Sequence, residues 1–463
     1  MKVIDKIKSF METEEFNIVL LLISMMSFFI NSPYPAFYTI AILLILYGIT
    51  NASCNAIIPI FALWSTSSQG YDGTIEVFSV EFILLAVIFV IGFGFLVYRI
   101  VKNKSISSIL EKLKKNLILY GIIAIIISMF ISLINTPRMD FSFVGIGNYS
   151  IMCVIFLVAT LKVNEGEKAK NIMLHSIVYL GIMITIEAIY KFGILMHGGL
   201  SAQEIIKGKL LDLGWCVSNH WAVLVIIAIF VSFYLFMMHE KGFWKNFSFA
   251  TGIIFTGVLL ITGCRGGYIG LLASIPGFIA LYIYHLKKEN ISFKRDMWYF
   301  IGIFGLIFIG ILALAISGYL SKIFEELTDT NGSIENGRDV VWKIAWKEFT
   351  NHWFIGAGVN TGRYFINKET GGWWHYWYYH NHYLQIMAGC GIVGAICFTF
   401  YIVAQVLRCI RKDEFSLFGL IVILYFLVHG ALDTLYFNAS IEPVLLIILA
   451  YIGLNKESYC LTE

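Results

Sequence analysis

Gly318 to His382, the stretch that contains Gly337-Arg338-Asp339 and ends in Tyr379-His380-Asn381-His382, is the one long polar interruption in a chain otherwise built of apolar runs. The runs around it decide the fold. At 463 residues, 59% hydrophobic and 14% charged, with a mean hydropathy of +0.79, the chain has too little polar surface to cover a soluble globule of its size. A membrane helix needs about 20 apolar residues, and such runs recur from Phe16 to Ile452. The alternating ten-residue pattern of an outer-membrane barrel is absent.

The fold class expected is therefore all-α, a polytopic integral-membrane helical bundle. Spans fall near 17–31, 36–50, 53–64, 81–99, 116–135, 147–162, 173–195, 215–238, 247–263, 266–285, 297–318, 383–407, 415–431 and 437–454. The piece 53–64 is half a bilayer long, so the count is 12 to 14. No linker or repeat divides the sequence, and 1–463 reads as a single membrane domain. The first apolar run lacks a small-residue cleavage pattern after it, so no removable signal peptide is expected.

Short cytoplasmic loops collect Lys and Arg. Clusters at Arg99 to Lys115, at Lys168 and Lys170, at Lys241 and Lys245, at Lys287 to Arg295, and at Arg408 to Lys412 alternate correctly through these spans. That orientation turns outward the turn at Arg265, the loop 197–214, the large loop 318–382 and the turn around Asp433. The eight cysteines form no CxxC pair, so neither a disulfide framework nor a metal site is indicated.

Inside the large loop, Val341, Trp342, Ala345, Trp346 and Phe349 recur at helical spacing. Asn336 is a suitable N-cap and Asp339 sits in the first turn, so an amphipathic helix is expected near 338–352, suited to a membrane surface. The aromatic run 373–379 reads first as an interfacial belt, with sugar stacking as the functional alternative.

Charge near bilayer depth is costly, about 2.5 to 3.5 kcal/mol at a helix centre, which singles out Arg265 in Thr262-Gly263-Cys264-Arg265-Gly266-Gly267. Its plain reading is an arginine snorkelling to headgroups; the flanking glycines favour a tight hairpin presenting a guanidinium, whose fork of donors suits phosphate. Arg338, taken alone, is a solvated arginine paired with Glu335 or Asp339. His380 and His382 flank Asn381, and with His375 they raise a metal reading that the lack of an acidic or cysteine ligand at matching spacing disfavours. Asn219 and His220 begin a span, and Glu187 and Lys191 are i,i+4 neighbours near a helix end. Asp433 and Glu442, at the last hairpin, are weaker candidates. No phosphate-binding P-loop, GxGxxG, DxD or HExxH motif is present, which disfavours a nucleotide donor.

Three motifs in order, Thr262-Gly-Cys-Arg265-Gly-Gly, then Gly337-Arg338-Asp-Val-Val-Trp342 leading to Gly356-Ala-Gly358, then His380-Asn381-His-Tyr383-Leu384-Gln385 leading to Gly391 and Gly394, resemble the O-antigen ligase and polymerase superfamily of bacterial membrane proteins. Asn219 with His220 resembles a further, weaker motif. Cys264 stands where the family usually has Ser. The resemblance implies a fold like that of inverting membrane glycosyltransferases of the GT-C type. It also implies a multi-pass protein of the bacterial cytoplasmic membrane with its active site outward, a polyprenyl-diphosphate-linked oligosaccharide as donor and another glycan as acceptor. No cofactor, metal or nucleic acid is implied. A chain-length regulator and a flippase are the accessory partners such a system calls for.

On that basis His380, Arg265 and Arg338 are the expected catalytic residues, the two arginines also holding the donor diphosphate, with Asn219, His220, Asn381 and Asp339 secondary. Polymerase is the first reading and ligase the close alternative. A lipid-linked oligosaccharide flippase is more distant, because duplicated halves with broken mid-membrane helices are not evident.

Overall fold

The computed structural model describes residues 2–65, 80–103, 106–164, 166–214, 216–239, 242–289, 302, 338–372, 378–411 and 413–454. Its elements are helical: α1 Lys2–Met11, α2 Glu14–Phe29, α3 Tyr34–Thr50, α4 Ile57–Ser65, α5 Val80–Asn103, α6 Ile106–Lys114, α7 Leu117–Ser132, α8 Met139–Lys162, α9 Glu167–His197 and α10 Ala202–Lys207. They continue with α11 Ser218–Met238, α12 Phe243–Ile261, α13 Arg265–Lys288, α14 Arg338–Asn351, α15 Gly362–Thr370, α16 His382–Cys409, α17 Glu414–Gly430 and α18 Glu442–Leu454. Among the described residues seven helices are long and apolar enough to cross a membrane, and three more apolar helices are shorter. The chain is a multi-pass helical membrane protein.

Local chemistry sets several helix starts. Asn116 accepts from the Leu119 N–H, Asp413 from Ser416, and Asn381 from both Tyr383 and Leu384, each supplying an acceptor to amides that the helix leaves unpaired. Ser201 and Glu204 form a reciprocal capping box at α10. Helix α11 is the central element: 94% of its most apolar window is buried, against 33% for α12 and for α13. It packs on α9, α12 and α13, while α13 packs on α17, α7 on α16 and α8 on α18.

The helical part of the half-length segment is α4, nine residues or about 14 Å at the usual rise per residue, packed against α2 and α9. Helix α8 begins at Met139 rather than at 147, because Asp140 in the first turn suits the dipole. The expected span 297–318, apart from residue 302, and the Asn336 cap lie outside the described residues, as do Trp373 to Trp377 with His375.

The amphipathic loop helix is present as α14, but with a different inward face. Val341, Ile344, Ala345 and Glu348 are buried, whereas Trp346 is 53% exposed. The inward side packs with Phe365, Ile366, Tyr379 and Ala388, against the first half of α16. A break in α16 completes that docking. Gly391 has φ +64° and backs onto the Phe354 carbonyl, so an L side chain there is both strained and obstructed. The backbone bonds freed by the break are re-made to the segment after α14: Ile392 N–H donates to Trp353 O (2.8 Å), Val393 N–H to Phe354 O (3.2 Å), Ala357 N–H to Ala388 O (2.9 Å) and Gly358 N–H to Gly389 O (3.0 Å).

Candidate active site

Four elements bring their ends together around the carboxylate of Asp433, a buried residue in the turn between α17 and α18. His380, just before α16, places Nδ1 3.0 Å from Asp433 Oδ1. The Thr434 N–H donates to the same oxygen at 2.8 Å. Asn219, in the first turn of α11, donates its amide to Oδ2 at 2.9 Å. Arg338, the first residue of α14, brings a guanidinium nitrogen to 3.8 Å from Oδ2. A carboxylate only accepts, so the Nδ1 of His380 that faces Asp433 carries a proton.

Burial alone would push the Asp433 carboxyl up. The hydrogen bond and nearness of His380, with Arg338 and His220, outweigh it and hold the group well below the usual carboxylate range. The backbone at His380 is left-handed, φ +51°, reversing the chain just before α16. His380 thereby reaches Asp433 while His382 enters the core, packed beside Phe398 and Tyr436 with neither ring nitrogen hydrogen-bonded. The two histidines of the His-Asn-His motif thus serve different surroundings.

Arg265 opens α13 next to this centre. Gly266 lies against the His429 ring and Leu432, leaving no room for a Cβ, and Gly263, at φ +62°, backs onto the Ile206 carbonyl. The glycines flanking Arg265 therefore seat its turn between the end of α10 and the hairpin that carries Asp433. Asn381 ties that hairpin to α16 by donating to Ala431 O at 2.9 Å. His220 lies one contact away, its Nε2 3.0 Å from the Asn438 amide. Asp339 is not brought to the centre: it pairs with Lys343 at 3.7 Å. Arg338 accordingly pairs with neither Asp339 nor solvent alone but with Asp433. Glu187 is fully buried with neither carboxylate oxygen hydrogen-bonded, so the i,i+4 pair with Lys191 does not form.

Two acids of the last hairpin and one lysine carry little signal in the sequence. Asp433 is a single acid in an apolar hairpin, and Glu442 behind it accepts from Tyr401 (2.7 Å) and Tyr149 (3.4 Å), a buried structural network. Lys209, in the loop between α10 and α11, donates to Asn219 Oδ1 at 3.2 Å. Nothing in its polar surroundings in the sequence distinguishes it from Lys207.

Further basic residues lie at the far ends of two of these helices. Lys288, at the end of α13, donates to both Glu414 oxygens at 2.8 Å, and Arg408, at the end of α16, donates to Leu449 O. Among the described residues one group has metal-ligand spacing, His285, Glu289 and Glu414, at that end; the Lys288 ammonium already occupies its shared carboxylate.

A multi-pass helical membrane protein with arginines and a carboxylate-held histidine gathered at one end is the class this geometry defines. Residues 249–399 match the family model described as O-antigen ligase, which supports membership of the O-antigen ligase and polymerase superfamily. The matched segment includes Arg265, Arg338, His380 and Asn381, and leaves Lys209, Asn219 and Asp433 outside it. No curated protein matches the chain.

Proposed function

We propose that this protein joins oligosaccharide units carried on a polyprenyl diphosphate, acting as a surface-polysaccharide polymerase at the outer face of the bacterial cytoplasmic membrane. The observation that carries the reading is the shared buried carboxylate, which gathers His380, Arg338 and Asn219 beside the helix that begins with Arg265. The outward orientation is supported by the separation of this centre from the basic helix ends at Lys288 and Arg408.

In the reaction, Nε2 of His380 accepts the proton of an acceptor sugar hydroxyl as that oxygen bonds to the anomeric carbon of the donor. The bond from that carbon to the diphosphate oxygen breaks, and its electron pair leaves with the lipid diphosphate. Arg265 and Arg338 stabilise the charge on this leaving group, and base assistance of this kind contributes about 10²- to 10⁴-fold. Asp433 holds the His380 ring in the required tautomer and steadies the imidazolium that forms. In-line attack inverts the anomeric configuration.

The test is reconstitution of the purified protein with a polyprenyl-diphosphate oligosaccharide, products being followed by gel and mass spectrometry. A ladder of added repeats, lost in Arg338→Ala and His380→Ala variants that still insert, supports the proposal. Transfer solely to an added lipid, wall or protein acceptor would make the protein a ligase. Wild-type polymer from either variant would overturn the site.

A further inference from the structure

Lys209 is a polar side chain beside this centre to which the reaction gives no role. It follows Gly208 at the end of α10 and adopts a left-handed backbone, φ +51°, a conformation uncommon in a residue with a long side chain and one that persists only where its surroundings enforce it. The loop does enforce it. Ile205 O accepts from Leu210 N–H at 3.1 Å, Ser218 Oγ lies 3.4 Å from the Lys209 carbonyl, and Asp212 accepts from Ser218 N–H at 3.0 Å. Trp221, fully buried, donates its indole N–H to Leu211 O at 2.5 Å.

The side chain so held is half-buried, and among the described residues its ammonium makes one side-chain hydrogen bond, to the neutral amide oxygen of Asn219 at 3.2 Å. No carboxylate lies within ion-pair distance of it among those residues. An ammonium has three donors, so two remain for a ligand. On the other side of Asn219 stands Asp433, and beyond it Arg338, whose one ion pair among the described residues, at 3.8 Å, is longer than a hydrogen bond. Two cations with unused donors thus flank one Asn219–Asp433 bridge. The charges of Arg338 and Arg265 also reach Lys209, while Asp433 opposes them. A desolvated excess of positive charge with open donors matches a dianionic ligand rich in oxygen acceptors.

We propose that Lys209 is a third phosphate-binding cation of this site, contacting the diphosphate of the lipid-linked donor together with Arg338 and Arg265. This rests on the reading of the donor as a lipid diphosphate. Because Asn219 links Lys209 to Asp433, binding the anion also fixes the amide that orients the carboxylate, so donor occupancy and the setting of His380 are coupled through Lys209.

The probe is inorganic pyrophosphate, titrated calorimetrically into the full-length protein in nanodiscs, with donor and acceptor KM measured in parallel. Lys209→Gln is expected to weaken pyrophosphate binding and raise donor KM by about 10- to 100-fold, the range for losing a hydrogen bond to a charged group, with acceptor KM unchanged. Lys209→Ala should behave alike, and Lys209→Arg should retain most of the affinity. Gln keeps an amide to meet Asn219, so a loss in Gln without a fall in melting temperature separates ligand contact from folding. Wild-type pyrophosphate affinity in a folded Lys209→Gln protein, with affinity lost in Arg338→Ala, would overturn the Lys209 assignment and leave the donor reading standing. If wild-type protein bound no pyrophosphate, both would fall.

Discussion

Replacing Asp433 with asparagine keeps the shape of the side chain and removes its charge, and the surrounding donors leave the new amide no satisfactory orientation. One oxygen of Asp433 faces Thr434 N–H and His380 Nδ1, the other faces the Asn219 amide and Arg338. Whichever way the substituted amide turns, its NH₂ meets a donor. Turning Asn219 to relieve one clash would point its own NH₂ at the Lys209 ammonium that its oxygen now receives. The variant therefore loses an ionic hydrogen bond and strands a donor. Full Coulomb attraction between Arg338 and Asp433 at 3.8 Å is about 4 kcal/mol at an effective dielectric near 20. A net of about 2 to 3 kcal/mol is expected after solvation, by the usual worth of hydrogen bonds to charged groups, which is about 30- to 150-fold in rate. In the reconstituted assay kcat should fall by that factor while the protein inserts normally. An Asp433→Asn enzyme with wild-type kcat would refute the claim that this carboxylate orients His380.

The same variant gives a stability test. The Asp433 carboxyl is depressed in the fold, so its contribution is complete above the carboxyl's unfolded value, about 3.9, and is lost as pH falls through the lower folded value. The melting-temperature gap between wild type and Asp433→Asn in detergent should hold steady from pH 7 to about 5 and narrow only in strong acid; a gap that closed above about pH 5 would contradict it. Gly391→Ala meets both a left-handed backbone and the Phe354 carbonyl and should cost at least about 1 to 2 kcal/mol, read as early unfolding in a fluorescence-detected melt. Gly266→Ala forces a Cβ into the His429 ring; activity should drop at least about 10-fold through displacement of Arg265, and unchanged donor KM and kcat would argue against that seat. Glu442→Ala leaves the Tyr401 and Tyr149 hydroxyls without their acceptor and should destabilise by about 1 to 3 kcal/mol, whereas Glu442→Gln should be milder in the same melt.

Much of the helical layout is legible because bilayer thickness forces long apolar runs, and Arg265 stands out as a costly polar residue at the end of such a run, whereas Arg338 and His380 are marked by the motifs that contain them. The group that brings Arg338 and His380 together is less visible. Asp433 looks like any turn acid until the hairpin is folded against α11 and α16, and Lys209 is set apart from Lys207 by a backbone angle rather than by its neighbours in sequence. Glu187 shows the converse: a suggestive i,i+4 spacing that burial overrides. The break at Gly391 is hidden because Gly389-Cys390-Gly391 sits in an uninterrupted apolar run, and only the docked loop reveals where the displaced backbone bonds go.

That backbone seam bears on how Arg338 is held in place. Arg338 is stationed from its C-terminal side, since α14 is fastened through residues 353–358 to the helix that His380 precedes. The placement of Arg338 relative to His380 is thereby set by the segment that follows the arginine, from α14 to the break in α16.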